Sequence, residues 1–192
     1  MNTKYSKKRI NKKGFTLIEL LAVIVILAIL VMLAIPAVTR YLTAARQGAF
    51  ADNAQKAIDA VRTEVITSGF SQSANTNCKD ESNNKVVCTY SRDAFNNLLE
   101  KKLITSPFGG EIDTTSYVKV IQTYTPASGT GDSQVPAKTT YEYKMCMSDS
   151  GRNGFEELDE KEIISKNVKV GGAAKCPDQN PQQAPAGGGT GN

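Results

Sequence analysis

The chain has 192 residues, 40% hydrophobic and 22% charged, with 23 basic residues, 19 acidic residues and no histidine. That length allows a globular domain with a modest core. The missing imidazole excludes Ser-His-Asp and Cys-His pairs, and P-loop, Rossmann and HExxH motifs are absent as well, so no enzymatic activity is expected.

In chain order, the first feature is a basic leader. Residues 1–13 hold Lys4, Lys7, Lys8, Arg9, Lys12 and Lys13 and no acid. This asymmetry predicts a cytoplasmic N-terminus and an exported C-terminal part. Next comes Lys13-Gly14-Phe15-Thr16-Leu17-Ile18-Glu19, and then 19 uncharged residues from Leu20 to Val38, nearly all Leu, Ile, Val, Ala and Met. At helical rise this run spans about 28 Å, close to the hydrocarbon thickness of a bilayer. Glu19 stands at its start. An acid inside hydrocarbon costs about 2.5–3.5 kcal/mol, so it needs a partner, unless it sits wetted at the interface. Ala34-Ile35-Pro36-Ala37 is a weak match to a small-x-small secretory cleavage site, but helical patterning runs on to about Ser68, which favours retention of the apolar helix.

Residues 13–19, together with the apolar run behind them, resemble the prepilin cleavage motif of type IV pilins and their relatives, a likeness covering roughly residues 8–68. The resemblance implies that a membrane-embedded prepilin peptidase cuts after Gly14 and methylates the new amine of Phe15. A glycine at that point lets a protease approach the backbone closely. The resemblance also implies a partner for Glu19: the amine of Phe15 on a neighbouring subunit, a pairing that sets register in a low-dielectric setting. Such pilins often carry a glycine near mature position 14, where this chain has Ala28. Pro36 removes one helix hydrogen bond and is the expected kink.

The implied fold is α+β: a long N-terminal helix, membrane-spanning in its first half, packed by its second half on a small antiparallel β-sheet head. The expected divisions are a cleaved leader (1–14), a hydrophobic helix serving as membrane span and filament core (15–39), a head (40–176) and a disordered tail (177–192). Removing the leader's six basic residues from the 23 leaves 17 against 19 acidic, so no nucleic-acid partner is expected.

Beyond the span, Phe50, Ala54, Ala57, Ile58, Val61 and Val65 recur at spacings of three and four, an amphipathic stripe that Gly69 ends. Residues 69–90 read as a polar loop. Ser91 is the expected N-cap of a short helix whose apolar side is Phe95, Leu98, Leu99 and Leu103, ended by Ser106-Pro107-Phe108-Gly109-Gly110. Strands are predicted at Tyr117–Tyr124, at Thr139–Met147 and at Ile163–Val170, with residues 125–137 as an exposed connector. Cys78, Cys88, Cys146 and Cys176 make an even count in an exported chain and so imply two disulfides. Of three pairings, Cys78–Cys88 and Cys146–Cys176 are favoured, the first closing a polar loop and the second tying the last segment to the sheet. Zinc is disfavoured without a CxxC pair or histidine.

Asp149, Asn153 and Glu160 fall at positions 1, 5 and 12 of an EF-hand spacing, with Gly154 at the turn, although Gly151 removes the ligand at position 3. They are the candidate calcium ligands, the alternative being an acidic hairpin loop, and no other cofactor is expected. The tail is rich in Pro, Gln and Gly and lacks an LPxTG-like signal.

The function implied is a structural subunit of a type IV pilus: a homo-oligomeric helical filament built by an assembly ATPase and a platform protein. The subunit would rest in the cytoplasmic membrane as a precursor and then stand at the cell surface. One alternative is a pseudopilin of a type II secretion or competence DNA-uptake system. The other is a membrane-anchored surface binding protein that never polymerises, which would have no use for Glu19.

Overall fold

A computed structural model of the chain describes residues 14–70, 76–81, 84–129, 134–172 and 174–177. The leader before Gly14, and the tail beyond Pro177, lie outside the described residues. The chain divides into two compact units, Met1–Thr43 and Ala44–Asn192. Helix α1 (Leu17–Ser68) contributes residues to both.

In the first unit every residue from Leu20 to Val38 is exposed. By length and composition α1 is apolar enough to cross a membrane. It stays helical on both sides of Pro36. The missing N–H of Pro36 leaves the Met32 carbonyl without its usual donor four residues on. One turn later Thr39 Oγ1 donates to the Ile35 carbonyl at 2.8 Å.

The second unit is built on an antiparallel meander. Its strands are β1 (Thr76–Glu81), β2 (Lys85–Ser91), β3 (Tyr117–Thr125), β4 (Lys138–Ser148) and β5 (Gly154–Asp159), in that spatial order. A short helix, α2 (Arg92–Leu98), follows β2 directly, with the Ser91 side chain accepting from Ala94 N–H as N-cap. Register places Cys88, Val120 and Tyr143 in one row across β2, β3 and β4, and Tyr90, Val118 and Met145 in the next. These rows face the stripe of α1, where Phe50, Ala54, Ala57, Ile58, Val61 and Val65 are all buried in the same core. Small residues at 54 and 57 let the helix lie close to the strands, and Phe50 meets Phe155 edge-on at 5.9 Å between centroids. A long N-terminal helix followed by a five-stranded antiparallel sheet is an α+β, pilin-like architecture.

The structure corrects the sequence reading at two places. Residues 69–90 are not one polar loop: 76–81 and 85–91 form the β1–β2 hairpin. β1 is an edge strand whose side chains are mostly exposed, so it carries no apolar alternation to betray it. Ile163–Val170 is not a sheet strand. It runs beside α1 through 3-10 turns at Glu160–Glu162 and Ser165–Asn167, and only Lys169 makes a bridge, to Gly154. Its polar backbone is satisfied by α1 side chains instead: Gln47 Nε2 donates to Val168 O at 2.8 Å and Gln55 Nε2 to Ile163 O at 2.9 Å. Arg62 pairs with Glu160 at the far end of this strap. The third predicted strand is replaced by β5, which the Glu-rich sequence 154–159 concealed.

Candidate functional site

The N-terminal site is built from three residues that precede α1 and the first turn that follows. Gly14, Phe15 and Thr16 are non-helical and exposed. Thr16 is the N-cap: its carbonyl accepts from Leu20 N–H at 3.2 Å. Its hydroxyl accepts from Glu19 N–H at 3.3 Å. In return the Glu19 Oε2 accepts from both Thr16 N–H and Thr16 Oγ1, each at 2.8 Å. This is a capping box, in which a Thr and the Glu three residues later satisfy each other's backbone donors. The sequence reading gave Glu19 one partner, an amine on another chain. Within the chain its partner is Thr16, and the Thr-x-x-Glu spacing was the signal for it. The carboxylate also lies beside the positive end of the helix macrodipole. Oε2 holds both bonds, while no hydrogen bond is seen to Oε1 among the described residues.

In the head, Cys78 is bonded to Cys88 and Cys146 to Cys176. Cys78 and Cys88 are direct cross-strand neighbours in the β1–β2 register. Cys146 points away from the main core into a small second cluster with Tyr117 and Cys176. The last described segment is thereby fastened to the outer face of the sheet.

The three candidate calcium ligands are not assembled as a cage. Asp149 is fully buried, and its oxygens are occupied by donors from the protein. Ser106 Oγ donates to Oδ2 at 2.6 Å, Asn153 N–H to Oδ1 at 2.8 Å, and Asn153 Nδ2 to both oxygens at 3.0 Å. Asn153 thus meets Asp149 as a donor, and its Oδ1 accepts from Gly171 N–H at 3.0 Å. Glu160 is turned to Arg62. Among the described residues no group of three or more His, Cys, Asp or Glu side chains could hold a metal ion. The loop 149–154 is a hydrogen-bonded hub joining the 106–111 turn to Gly171 and Ala174, through Ser150 N–H to Glu111 O, Gly171 N–H to Asn153 Oδ1 and Ala174 N–H to Arg152 O. An EF-hand spacing counts oxygen-bearing residues without asking which already have donors, and here Asp149 and Glu160 have them.

An ionic network covers the outer face of β3, β4 and β5. Glu157 accepts from Tyr117 Oη at 2.6 Å and from Lys119, and Lys144 pairs with Asp159 at 3.1 Å. Lys119 and Lys144 oppose each other directly across β3 and β4. The two acids of β5 offset that like-charge contact. Burial pushes the Glu157 carboxyl up, but hydrogen bonds from Lys119 and Tyr117 and the lysine charges outweigh it, leaving the group below its ordinary value. Burial, followed by the bond to Glu157, pushes the Tyr117 phenol far up.

A lowered carboxyl stabilises the fold above its unfolded value, and that contribution disappears as pH falls through the folded one. Glu157 is partly exposed, which limits the effect to about 1 kcal/mol or less. Glu157→Gln is therefore expected to lower the urea midpoint at about pH 7 and to match the wild-type protein at about pH 3. Equal loss at both pH values would assign the effect to packing.

Among known families, residues 9–35 match the one described as the prokaryotic N-terminal methylation motif. The matched stretch contains Gly14, Phe15, Thr16, Glu19 and most of the apolar span. No curated protein and no solved structure matches the chain.

Proposed function

Residues 9–35 carry the class III prepilin signal of type IV pilin-like proteins, and on that premise we propose that the chain is a structural subunit of a type IV pilus filament. The observation that supports this reading most is the position of Glu19. It is an acid at the head of a membrane-length apolar helix whose residues Leu20 to Val38 are exposed throughout. Such a surface needs lipid or neighbouring helices around it.

In the precursor the apolar stretch rests in the cytoplasmic membrane. Prepilin peptidase removes residues 1–14 and methylates Phe15. The mature helices then leave lipid for one another. Lipid is about as apolar as leucine, so burial alone supplies little drive for that exchange. Side-chain packing, the ion pair between Glu19 and the amine of Phe15 on the next subunit, and an assembly ATPase acting through a platform protein give it direction. The head, with its two disulfides, faces the outside.

The test is the intact mass of the protein in the surface fraction sheared from native cells. The expected species begins at Phe15, carries one added methyl group and lacks four hydrogens for the two disulfides. If the same processed species is confined to the membrane, the pseudopilin and non-polymerising readings replace this one. Retention of residues 1–14 would overturn the processing step itself.

A further inference from the structure

The strap that follows β5 runs along α1 towards its N-terminal side. Glu160 meets Arg62, the Ile163 carbonyl accepts from Gln55, and the Val168 carbonyl accepts from Gln47. Its charge changes along the way. Glu160, Lys161 and Glu162 stand at the Arg62 end, whereas Lys166, Lys169 and Lys175 follow with no acid between Ile163 and Pro177. α1 has the same polarity. Arg40 and Arg46 precede Asp52, its first acid beyond the apolar span, and from there to Ser68 acids and bases nearly balance. Two segments distant in sequence thus bring cations to the end of the head where Gln47 stands. Arg152 joins them, since its carbonyl accepts from Ala174 N–H at 3.1 Å. Arg46, Arg152, Lys166 and Lys175 are exposed and make no ion pair among the described residues, and Lys169 pairs only loosely with Glu156, at 3.5 Å. Glu111, Asp113 and Glu156 border this end through the 149–154 loop and β5, so the cations outnumber the accessible acids there. Val170, next to Lys169, is 44% exposed.

Basic side chains around an exposed apolar residue suit a surface that lies on an anionic bilayer. The chain connection is short enough for that. From Val38, the end of the apolar span, to Gln47 is nine residues of α1, about 13 Å at helical rise. Headgroups take up about 5–8 Å on each side of the hydrocarbon. The mature chain has 17 bases against 19 acids, so the attraction belongs to this end alone and sets an orientation. We infer that, in the membrane-resident subunit, this end of the head docks on anionic phospholipid headgroups. Arg46, Lys166 and Lys169 meet the phosphates, and Val170 dips between them. The inference rests on the reading of α1 as a membrane anchor and is independent of polymerisation.

The chain has no tryptophan, so one introduced residue serves as a fluorescent reporter. Val170→Trp places it at the cationic end, and Val135→Trp places it on the exposed β3–β4 connector as a control. The full mature chain carrying either substitution is reconstituted into vesicles with brominated acyl chains. The lipid is phosphatidylcholine alone or a mixture with phosphatidylglycerol. Flotation with the vesicles reports the anchor, and bromine quenching reports contact of the head with lipid. Quenching of Val170→Trp is expected to be roughly twice as strong in the anionic mixture, and raised salt should remove the difference. Val135→Trp should be unquenched in both. Adding Lys166→Gln or Lys169→Gln to Val170→Trp should lower the docked-to-free ratio roughly fivefold each. Both are exposed side chains, so the melting temperature should not move. Flotation without quenching overturns the inference and leaves the anchor standing. So does quenching that is equal in both lipids or that survives both lysine substitutions. Failure to float overturns the anchor reading, and the inference with it.

Discussion

Glu19→Val is expected to leave cleavage after Gly14 largely intact and to abolish incorporation into filaments. The Gly14–Phe15 bond proposed for cleavage lies outside the capping box, so the peptidase should still find it. The mature chain then lacks two things. It loses the Glu19 half of the capping box, the bonds that Oε2 accepts from Thr16 N–H and Oγ1, while the residue-19 N–H still donates to Thr16 Oγ1. On the proposed assembly it also loses the charge that would neutralise a neighbour's terminal amine within the apolar bundle, where an uncompensated charge costs several kcal/mol. The second loss is the larger, and Glu19→Gln separates the two. Its amide oxygen can still accept from Thr16 N–H, so the cap survives, but the charge is gone. Glu19→Gln should therefore fail in assembly almost as completely as Glu19→Val, whereas Thr16→Val, which keeps the charge, should assemble at reduced yield. The measurement is filament yield by shearing, normalised to processed subunit in the membrane. Wild-type yield from Glu19→Gln would mean that the cap is what matters and that the amine pairing is wrong.

Gly154→Ala should be the most damaging conservative substitution in the head. Gly154 sits at φ 141°, a conformation open to glycine and strained for any other residue. A Cβ there would lie 2.1 Å from the Met147 carbonyl oxygen and 3.0 Å from Ser148 Cα, both backbone atoms that cannot swing aside. The residue also holds a two-way bridge to Lys169, at 2.9 Å and 2.7 Å. Relief would have to break the start of β5 or release the strap. The expected cost is about 4 kcal/mol or more, a loss on the order of 10 °C in melting temperature. Gly172 is the control: at φ 96° it has the same left-handed requirement but nothing within 4 Å of its built Cβ. Gly172→Ala should cost only about 1 kcal/mol. Thermal unfolding of the two variants followed by circular dichroism decides the matter. Similar melting temperatures for both would show that the close approach at Gly154 is not constraining.

The two predictions sit at opposite ends of what could be read in advance. The extent of α1, its buried stripe and the alternation of β4 were legible because each is a local periodicity imposed by one burial direction. Of Tyr141, Tyr143, Met145 and Met147, which that alternation puts on one face, the last three are buried in the core and Tyr141 is 44% exposed. The Ser91 cap and the Gly69 stop are local chemistry and were legible for the same reason. The candidate N-terminal site was marked by residue type and spacing alone, a carboxylate at the head of a membrane-length apolar helix. Even there one partner was missed, although Thr16 is only three residues away.

What the sequence by itself determined, then, was the long helix, its apolar first half and the α+β class. The tertiary structure decided the rest of the head. β1 and β5 are edge strands with mostly exposed or charged side chains, so their pairing depends on neighbours rather than on their own pattern. The apolar residues Ile163 and Val168 look like strand positions, and they are buried. Their backbone is claimed by Gln47 and Gln55, more than a hundred residues away. Asp149 stands at a metal-ligand spacing in the sequence, and in the fold its oxygens accept from Ser106 and Asn153. In each case a polar group has several possible partners, and only the packed chain selects among them, because a buried donor or acceptor must be satisfied by whatever the fold brings within reach.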